Sequence, residues 1–246
     1  MKHLIFLIGV LIFYSCSSSD KKELKTLVQN DTTKFCSVNY ELTAIDSFSP
    51  IRLYSDETKR EQIMKLSENS YEQDTLLEKY YISSVDSSIA RRHGDTLMLK
   101  LENGKYFHLV NKQLNEEELE FYTLNYIFKK EGFYFVSCQS YEWHQYALIS
   151  MKTGEKYFLI GYPYFSPDNK TIISVSDIVC GDFSDSGIQI FENKNGHLKK
   201  QLECNEWFAS YVKWIDNKSF KVARALSDEN CNIRNKFYIV KIKNTL

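Results

Sequence analysis

The chain has 246 residues, of which 43% are hydrophobic and 26% charged, so it can build a sizeable core and is neither disordered nor fibrous. Its formal net charge of −1 excludes a protein that binds nucleic acid through bulk positive charge, and we expect no nucleic-acid partner. Glycine (9) and proline (3) are scarce. Asn, Asp and Lys must therefore occupy many of the turns.

The N-terminus has the pattern of an export signal. Lys2 precedes an apolar run from Leu4 to Tyr14, which suits the core of a signal peptide and is too short to span a bilayer. Ser15 and Cys16 follow directly. This arrangement resembles the lipobox of bacterial lipoproteins, and the resemblance implies cleavage before Cys16 and lipidation of Cys16.

The lipobox resemblance also implies a location. Ser17, the residue after the lipidated cysteine, is typical of lipoproteins sorted to the outer membrane of Gram-negative bacteria. We therefore expect a signal peptide over 1–15, a lipidated tether over 16–33 and one folded domain over 34–246. The membrane is then a partner through the N-terminal lipid.

The first element predicted after the tether is a short helix near 57–69, where Ile63 and Leu66 are three residues apart. Elsewhere, alternating aromatic and β-branched residues between polar turns predict strands.

Two series of turns recur along the chain. The first turns end at positions spaced by 53, 38 and 48 residues, namely Lys79, Gly132, Lys170 and Lys218. The second turns end at Gly104, Gly154, Gly196 and Asn244. This period predicts an all-β, propeller-like array of about four four-stranded units.

The last unit has no room for a fourth strand. We expect the extended run Phe35–Ile45 to pair with it and close the array. The alternative architecture is a twisted β-sandwich.

One segment supports the propeller. Residues 164–173, YFSPDNKTII, resemble the core of WD40-like and TolB-type β-propeller repeats, and residues 213–220, KWIDNKSF, form a degenerate second copy. The resemblance implies blades of four antiparallel strands.

The loops that such an array places on one face contain most of the unusual residues. Binding residues concentrate in loops on rigid scaffolds. We therefore predict a ligand- or partner-binding face lined by Arg91, Arg92, Trp143, His144 and Trp207. The alternative is a set of solvated loops with aromatic side chains partly packed beneath them.

The cysteines suit an oxidising compartment. Cys180, Cys204 and Cys231 fall on the same predicted face, and the sequence does not choose which of them pair. Cys138 lies in a strand-like run and is expected to be buried. No cysteine or histidine spacing indicates a metal site.

No nucleophile elbow, P-loop, dinucleotide-binding motif or zinc-protease motif occurs, and we expect no cofactor. The sequence therefore favours a lipid-anchored envelope binding or interaction protein, with a protein or glycan partner, over an enzyme. The alternative is an envelope glycan hydrolase, which would use the loop carboxylates Asp182, Asp185, Glu206 and Asp228. That chemistry needs two carboxylates within about 5–10 Å of each other in a pocket.

Overall fold

The fold is described here from a computed structural model. The described residues are 35–36, 39–50, 54, 56–113, 119–140, 143–177, 186–228 and 230–243. The predicted signal peptide, the tether with Cys16, and three loop residues, Cys180, Asp182 and Asp185, lie outside these residues.

Strands dominate the chain, in agreement with the predicted all-β class. The two helices are α1 (Glu57–Met64) and α2 (Ser70–Ser84). The strands are β1 (Tyr40–Ile45), β2 (Ala90–His93), β3 (Thr96–Lys100), β4 (Tyr106–Val110), β5 (Lys112–Gln113), β6 (Leu119–Phe128), β7 (Phe133–Ser140), β8 (His144–Ser150), β9 (Lys156–Leu159), β10 (Tyr162–Phe165), β11 (Thr171–Ser176), β12 (Gly187–Lys194), β13 (His197–Cys204), β14 (Ala209–Trp214), β15 (Ser219–Ser227) and β16 (Ile233–Ile242).

These strands form four antiparallel sheets, which we number in chain order. Sheet I contains β2–β3–β4, sheet II β5–β6–β7–β8–β9 and sheet III β10–β11–β12–β13. Sheet IV has the order β1–β16–β15–β14. Nearly every connection within a sheet is a hairpin, so the sheets follow one another along the chain as separate units.

The predicted pairing of the N-terminal strand with the last unit is confirmed. β1 runs antiparallel to β16, from Tyr40 opposite Ile242 to Ile45 opposite Phe237. β1 thus supplies the fourth strand that the end of the chain cannot provide. It also covers an edge of β16 that would otherwise expose unpaired backbone groups.

Six of the eight predicted turns lie where expected. Gly132, Lys170 and Lys218 are in the connections β6–β7, β10–β11 and β14–β15. The second turns of sheets I, II and III contain Gly104, Gly154 and Gly196. Asn244 lies outside the described residues.

The predicted first turn at Glu78–Lys79 is wrong, because these residues are in the middle of α2. The helix at 57–69 is confirmed over the residues of α1, but the sequence pattern missed α2. The aromatic and β-branched residues near the end of α2 are typical of a strand. Their helical spacing nevertheless buries Leu77 and Tyr81 on one face, against sheets I and II.

Three hydrophobic clusters connect the sheets in sequence. The first joins α2, sheet I and sheet II. The second joins sheets II and III and includes Tyr54. The third joins sheets III and IV around Phe35, which is 1% exposed. Each pair of consecutive units therefore shares a core.

Side chains also connect the first turns of sheets II, III and IV. Asn169 Nδ2 donates a hydrogen bond to the Glu131 carbonyl oxygen at 2.9 Å. The Asp168 amide donates to Asn217 Oδ1 at 3.0 Å. The turns that mark the repeat in the sequence thus lie side by side at one end of the three sheets.

Candidate functional site

A cleft of about 600 Å³ lies between α2, the β2–β3 turn and β6. Its charged lining residues are Glu78 and Lys79 on α2, Arg92 on β2 and Asp95 in the β2–β3 turn. Of the five predicted binding residues, only Arg92 lines this cleft.

Arg92 and Glu78 form an ion pair in the wall of the cleft. The Arg92 Nε and Nη2 atoms donate to the two carboxylate oxygens of Glu78, the second at 2.8 Å. Nη2 also donates to the Tyr122 carbonyl oxygen at 2.5 Å. The Glu78 side chain is 9% exposed and that of Arg92 is 23% exposed. The pair is therefore part of the scaffold as well as of the cleft surface.

Side chains from neighbouring elements form hydrogen bonds with backbone groups along the edge of β6. The Leu124 amide donates to Glu78 Oε2 at 2.9 Å, and the Tyr122 amide donates to Asn111 Oδ1 at 2.9 Å. Arg60, on α1, donates from Nη1 to the Asn125 carbonyl oxygen at 2.7 Å. Because these backbone groups already have partners, a peptide cannot extend sheet II along this part of β6.

Some hydrogen-bonding capacity still points into the cleft. Among the described residues, Arg92 Nη1 donates a long hydrogen bond, 3.4 Å to the Asp95 carbonyl oxygen. Asn111 uses its carbonyl end on Tyr122, which leaves its amide hydrogens as the donor end. A ligand in the cleft can therefore contact these donors without breaking the ion pair.

Trp143 and His144 lie near the cleft but outside its lining. Phe121, a lining residue on β6, is opposite Gln139 on β7, which is opposite His144 on β8. Two strand spacings, about 10 Å, therefore separate the backbones of Phe121 and His144. Trp143 is 38% exposed in the loop before β8.

A half-buried carboxylate, that of Asp74, lies close to His144. Ser137 Oγ donates to Asp74 Oδ2 at 3.0 Å. Burial raises the pKa of Asp74, which the Ser137 hydrogen bond partly opposes. Partial burial lowers the pKa of His144, which the Asp74 carboxylate partly opposes. A nucleophile–base–acid relay would need the Ser137 hydroxyl to donate to His144. It donates to Asp74 instead, so the three groups do not form such a relay.

Two predicted loop residues are on a strand instead. Arg91 and Arg92 belong to β2, which occupies part of the segment predicted as a loop, 85–94. The Arg91 guanidinium lies over the Tyr106 ring, 4.5 Å from the ring centroid. Arg91 and Arg92 are adjacent in a strand, and their side chains therefore point to opposite faces.

Trp207 is buried, which corrects its assignment to a binding face. It is 2% exposed, and its ring packs against Phe35 and Tyr238 at centroid distances of 4.8 and 5.5 Å. The residue follows β13 in a loop, but it fills the core between sheets III and IV. The five predicted residues thus do not form one surface.

One of the three cysteines whose pairing the sequence left open bonds to a cysteine outside that group. Cys204 forms a disulfide with Cys36, 168 residues away in sequence, and Cys231 is also disulfide-bonded. Cys138 is buried and free, as its strand pattern predicted. Cys36 was not recognised as a partner because only the fold brings it to β13.

Two of the four predicted loop carboxylates, Asp228 and Glu206, lie within the described residues. Asp228 accepts hydrogen bonds within its own loop, from the Asn232 side chain at 3.0 Å and from the Asn232 and Asn230 backbone amides at 3.0 and 2.9 Å, and these bonds lower its pKa. Glu206 is exposed beside Trp207. The α2 residues that line the cleft could have been found from their helical spacing, since Thr75, Glu78, Lys79 and Ile82 recur at intervals of three and four.

Within the described residues, no cluster of three or more His, Cys, Asp or Glu side chains has the arrangement to hold a metal ion. None of the described helices is long and apolar enough to cross a membrane.

Comparison with known proteins found no relative: no family model, no curated protein and no solved structure matches the chain.

Proposed function

We propose that the protein is a lipid-anchored binding protein of the cell envelope, held at the outer membrane of a Gram-negative bacterium through Cys16. Its binding site is the cleft between α2, β2–β3 and β6. The cleft is the observation that carries this proposal, because its volume of about 600 Å³ falls within the range of small-molecule sites.

The proposed architecture is a four-unit, propeller-like array. Three observations support it: consecutive units share cores, side chains join the first turns of three units, and β1 completes the last unit. In the first unit, α2 occupies the chain position that the first strand has in the others. It also packs against β6, the first long strand of the next unit.

The disulfides support the proposed location. Disulfides persist in oxidising compartments such as the periplasm and the cell surface, and are rare in the cytosol. The Cys36–Cys204 bond fastens the segment that precedes β1 to β13. A tether that ends at residue 33 would therefore lead directly into a covalently fixed point of the domain.

The chemistry of the cleft favours binding over catalysis. Glu78 accepts hydrogen bonds from Arg92 and from the Leu124 amide. Both oxygens of this carboxylate are therefore engaged by donors of the protein, and its role is to hold the cleft wall in place.

The anchor can be tested by metabolic labelling with palmitate. We expect the full chain to take up label and to fractionate with outer membranes, and the C16A variant to lose both properties. Label that persists in C16A, or wild-type protein that takes up none, would overturn the anchor.

The binding role can be tested by purification of the tagged full chain from detergent-solubilised membranes. We expect a component to co-purify reproducibly with the wild type and with the control variant K130A, which alters an exposed turn far from the cleft. S83W, which places a large side chain in the cleft lining, should lose that component. Equal recovery with wild type and S83W would exclude the cleft as the binding site.

A further inference from the structure

We infer that the cleft binds a neutral, hydroxyl-rich ligand, namely a short saccharide. This inference rests on the proposed binding function and deepens it by assigning a ligand class. It begins with the charges of the lining. The lining has two basic residues, Lys79 and Arg92, and two acidic residues, Glu78 and Asp95. The wall of the cleft therefore has no net charge.

The charge balance argues against anionic and cationic ligands. Phosphate and carboxylate sites gain affinity from Arg or Lys groups that lack a local counter-charge. In this cleft, the Arg92 guanidinium is paired with Glu78, which offsets its charge. The other cation of the lining, Lys79, is matched by the negative charge of Asp95, so neither sign of charge is in excess.

The polar groups of the lining instead match a ligand whose groups both donate and accept. Arg92 Nη1 and the Asn111 amide hydrogens are donors. Asp95, a further residue of the lining, supplies a carboxylate as acceptor. Ser83 Oγ donates to the Tyr80 carbonyl oxygen at 2.8 Å, so its lone pairs can accept from a ligand. A sugar hydroxyl both donates and accepts, and adjacent hydroxyls can therefore satisfy such alternating partners.

The apolar part of the lining and the bonded edge of β6 also favour a saccharide over a peptide. Ile82 and Phe121 provide apolar surface for the C–H face of a pyranose ring. An extended peptide would need free backbone groups on the strand, but Tyr122 and Leu124 are already bonded to side chains. The cleft is therefore suited to recognition by side chains.

The experiment uses the full-length protein purified in a zwitterionic detergent, because the head group of a glycoside detergent would compete for the site. Binding is measured by titration calorimetry and by saturation-transfer NMR. The probes are cellotriose, maltotriose and N-acetylchitotriose as neutral ligands, trigalacturonate as a charged sugar, and trialanine as a peptide.

We expect at least one neutral trisaccharide to bind, and to bind at least tenfold more tightly than trigalacturonate or trialanine. D95A should weaken this binding at least tenfold and S83W should abolish it. K130A should leave it unchanged, and all three variants should keep the wild-type circular-dichroism spectrum.

Other outcomes separate the inference from the proposed function. Binding of trigalacturonate or trialanine in preference to the neutral sugars, with loss in S83W, overturns the saccharide assignment and leaves the cleft as a binding site. Sugar binding that is equal in wild type, D95A and S83W overturns the inference because it places the sugar elsewhere. The absence of binding by all three neutral probes also overturns it, and the co-purification result then decides the binding function independently.

Discussion

Glu78 on α2 and Arg92 on β2 form an ion pair that takes the place of a neighbouring strand along β6. The Glu78 carboxylate accepts the Leu124 amide, and the Arg92 guanidinium donates to the Tyr122 carbonyl oxygen. One side-chain pair thus joins a helix, a hairpin and a sheet edge. It also forms part of the cleft wall, so that the stability of sheet II and the shape of the cleft depend on the same contact.

E78A should therefore destabilise the protein strongly. It leaves the Arg92 charge and the Leu124 amide without their partner, and we expect a loss of about 2–3 kcal/mol, less than for a fully buried pair because Arg92 is partly exposed. Urea unfolding followed by circular dichroism measures this loss. The control E61A changes an exposed residue of α1 and should shift the stability by less than about 0.5 kcal/mol. Equal effects of the two variants would contradict the role of the pair.

Asn169 combines a turn conformation with a link between sheets. Its φ is 59°, and its side chain donates to the Glu131 carbonyl oxygen. N169G keeps the left-handed conformation and loses the hydrogen bond, at a cost of about 0.5–1.5 kcal/mol. N169A also strains the backbone, which adds about 1–2 kcal/mol. Thermal unfolding should give the highest midpoint temperature for the wild type, a lower one for N169G and the lowest for N169A. An N169A variant as stable as the wild type would refute this account.

The two tryptophans that the sequence placed on one face should behave differently. W207A removes a buried ring and should cost about 3–5 kcal/mol of stability, whereas W143A should change it by less than about 0.5 kcal/mol. The Trp207 Nε1 atom has no hydrogen-bond partner within the described part of the chain. W207F should therefore retain more stability than W207A. The free energies of unfolding in urea give the comparison, and similar losses for W143A and W207A would show that the burial is misassigned.

The Cys36–Cys204 disulfide should stabilise the N-terminal strand. It closes a loop of 168 residues, and its removal in C36S/C204S should cost about 3–5 kcal/mol. Hydrogen exchange monitored by mass spectrometry should show faster exchange in β1, because β1 is an edge strand close to Cys36. The central strand β7 serves as the internal control and should exchange at a rate that follows global stability alone. Unchanged protection of β1 would contradict this prediction.

Asp74 and His144 should titrate as a coupled pair. The Asp74 carboxylate favours protonated His144, so D74N should lower the pKa of His144 further below its usual value of 6.5. NMR titration of the His144 ring measures this shift. E72Q, which alters an exposed carboxylate on the same helix, should not change the titration. A His144 pKa that rises in D74N would contradict the coupling.

The stability of D74N relative to the wild type should also depend on pH. Burial raises the pKa of Asp74 above its usual value of 3.8, so the ionised carboxylate destabilises the folded state. At low pH, Asp74 is protonated in both the folded and the unfolded state, and this penalty is absent. The penalty develops as the pH rises from about 3.8 through the folded-state pKa, and the advantage of D74N should grow over the same interval.

The local features of the fold could be predicted because short-range chemistry decides them. The turns at Gly132, Lys170 and Lys218 contain turn-forming residues between runs of alternating side chains. Asn169 adopts a left-handed conformation, which asparagine tolerates. The helix α2 could not be predicted in this way, since its Tyr80-Tyr81-Ile82 segment is typical of strands. Packing of Leu77 and Tyr81 in the core overrides that local preference.

The candidate site was largely beyond the sequence because its residues come from separate elements. Arg92, Asp95 and Asn111 come together at sheet I, where the Asn111 backbone amide donates to the Asp95 carbonyl oxygen at 2.8 Å, but Glu78 joins them only through the packing of α2. Arg92 stood out as part of a charged run, but nothing local connected it with Glu78.

By itself, the sequence determined an all-β chain built of repeated hairpins, with an N-terminal strand available for the last unit, because turn residues and alternating side chains act over a few positions. The sequence also determined that asparagine replaces glycine in some tight turns, since Asn169 and Asn195 adopt the left-handed backbone conformation there. Only the tertiary structure decided that Trp207 is core, that Cys36 meets Cys204, and that a neutral cleft forms beside β6. These features depend on distances between residues far apart in the chain, and packing of the whole domain sets those distances.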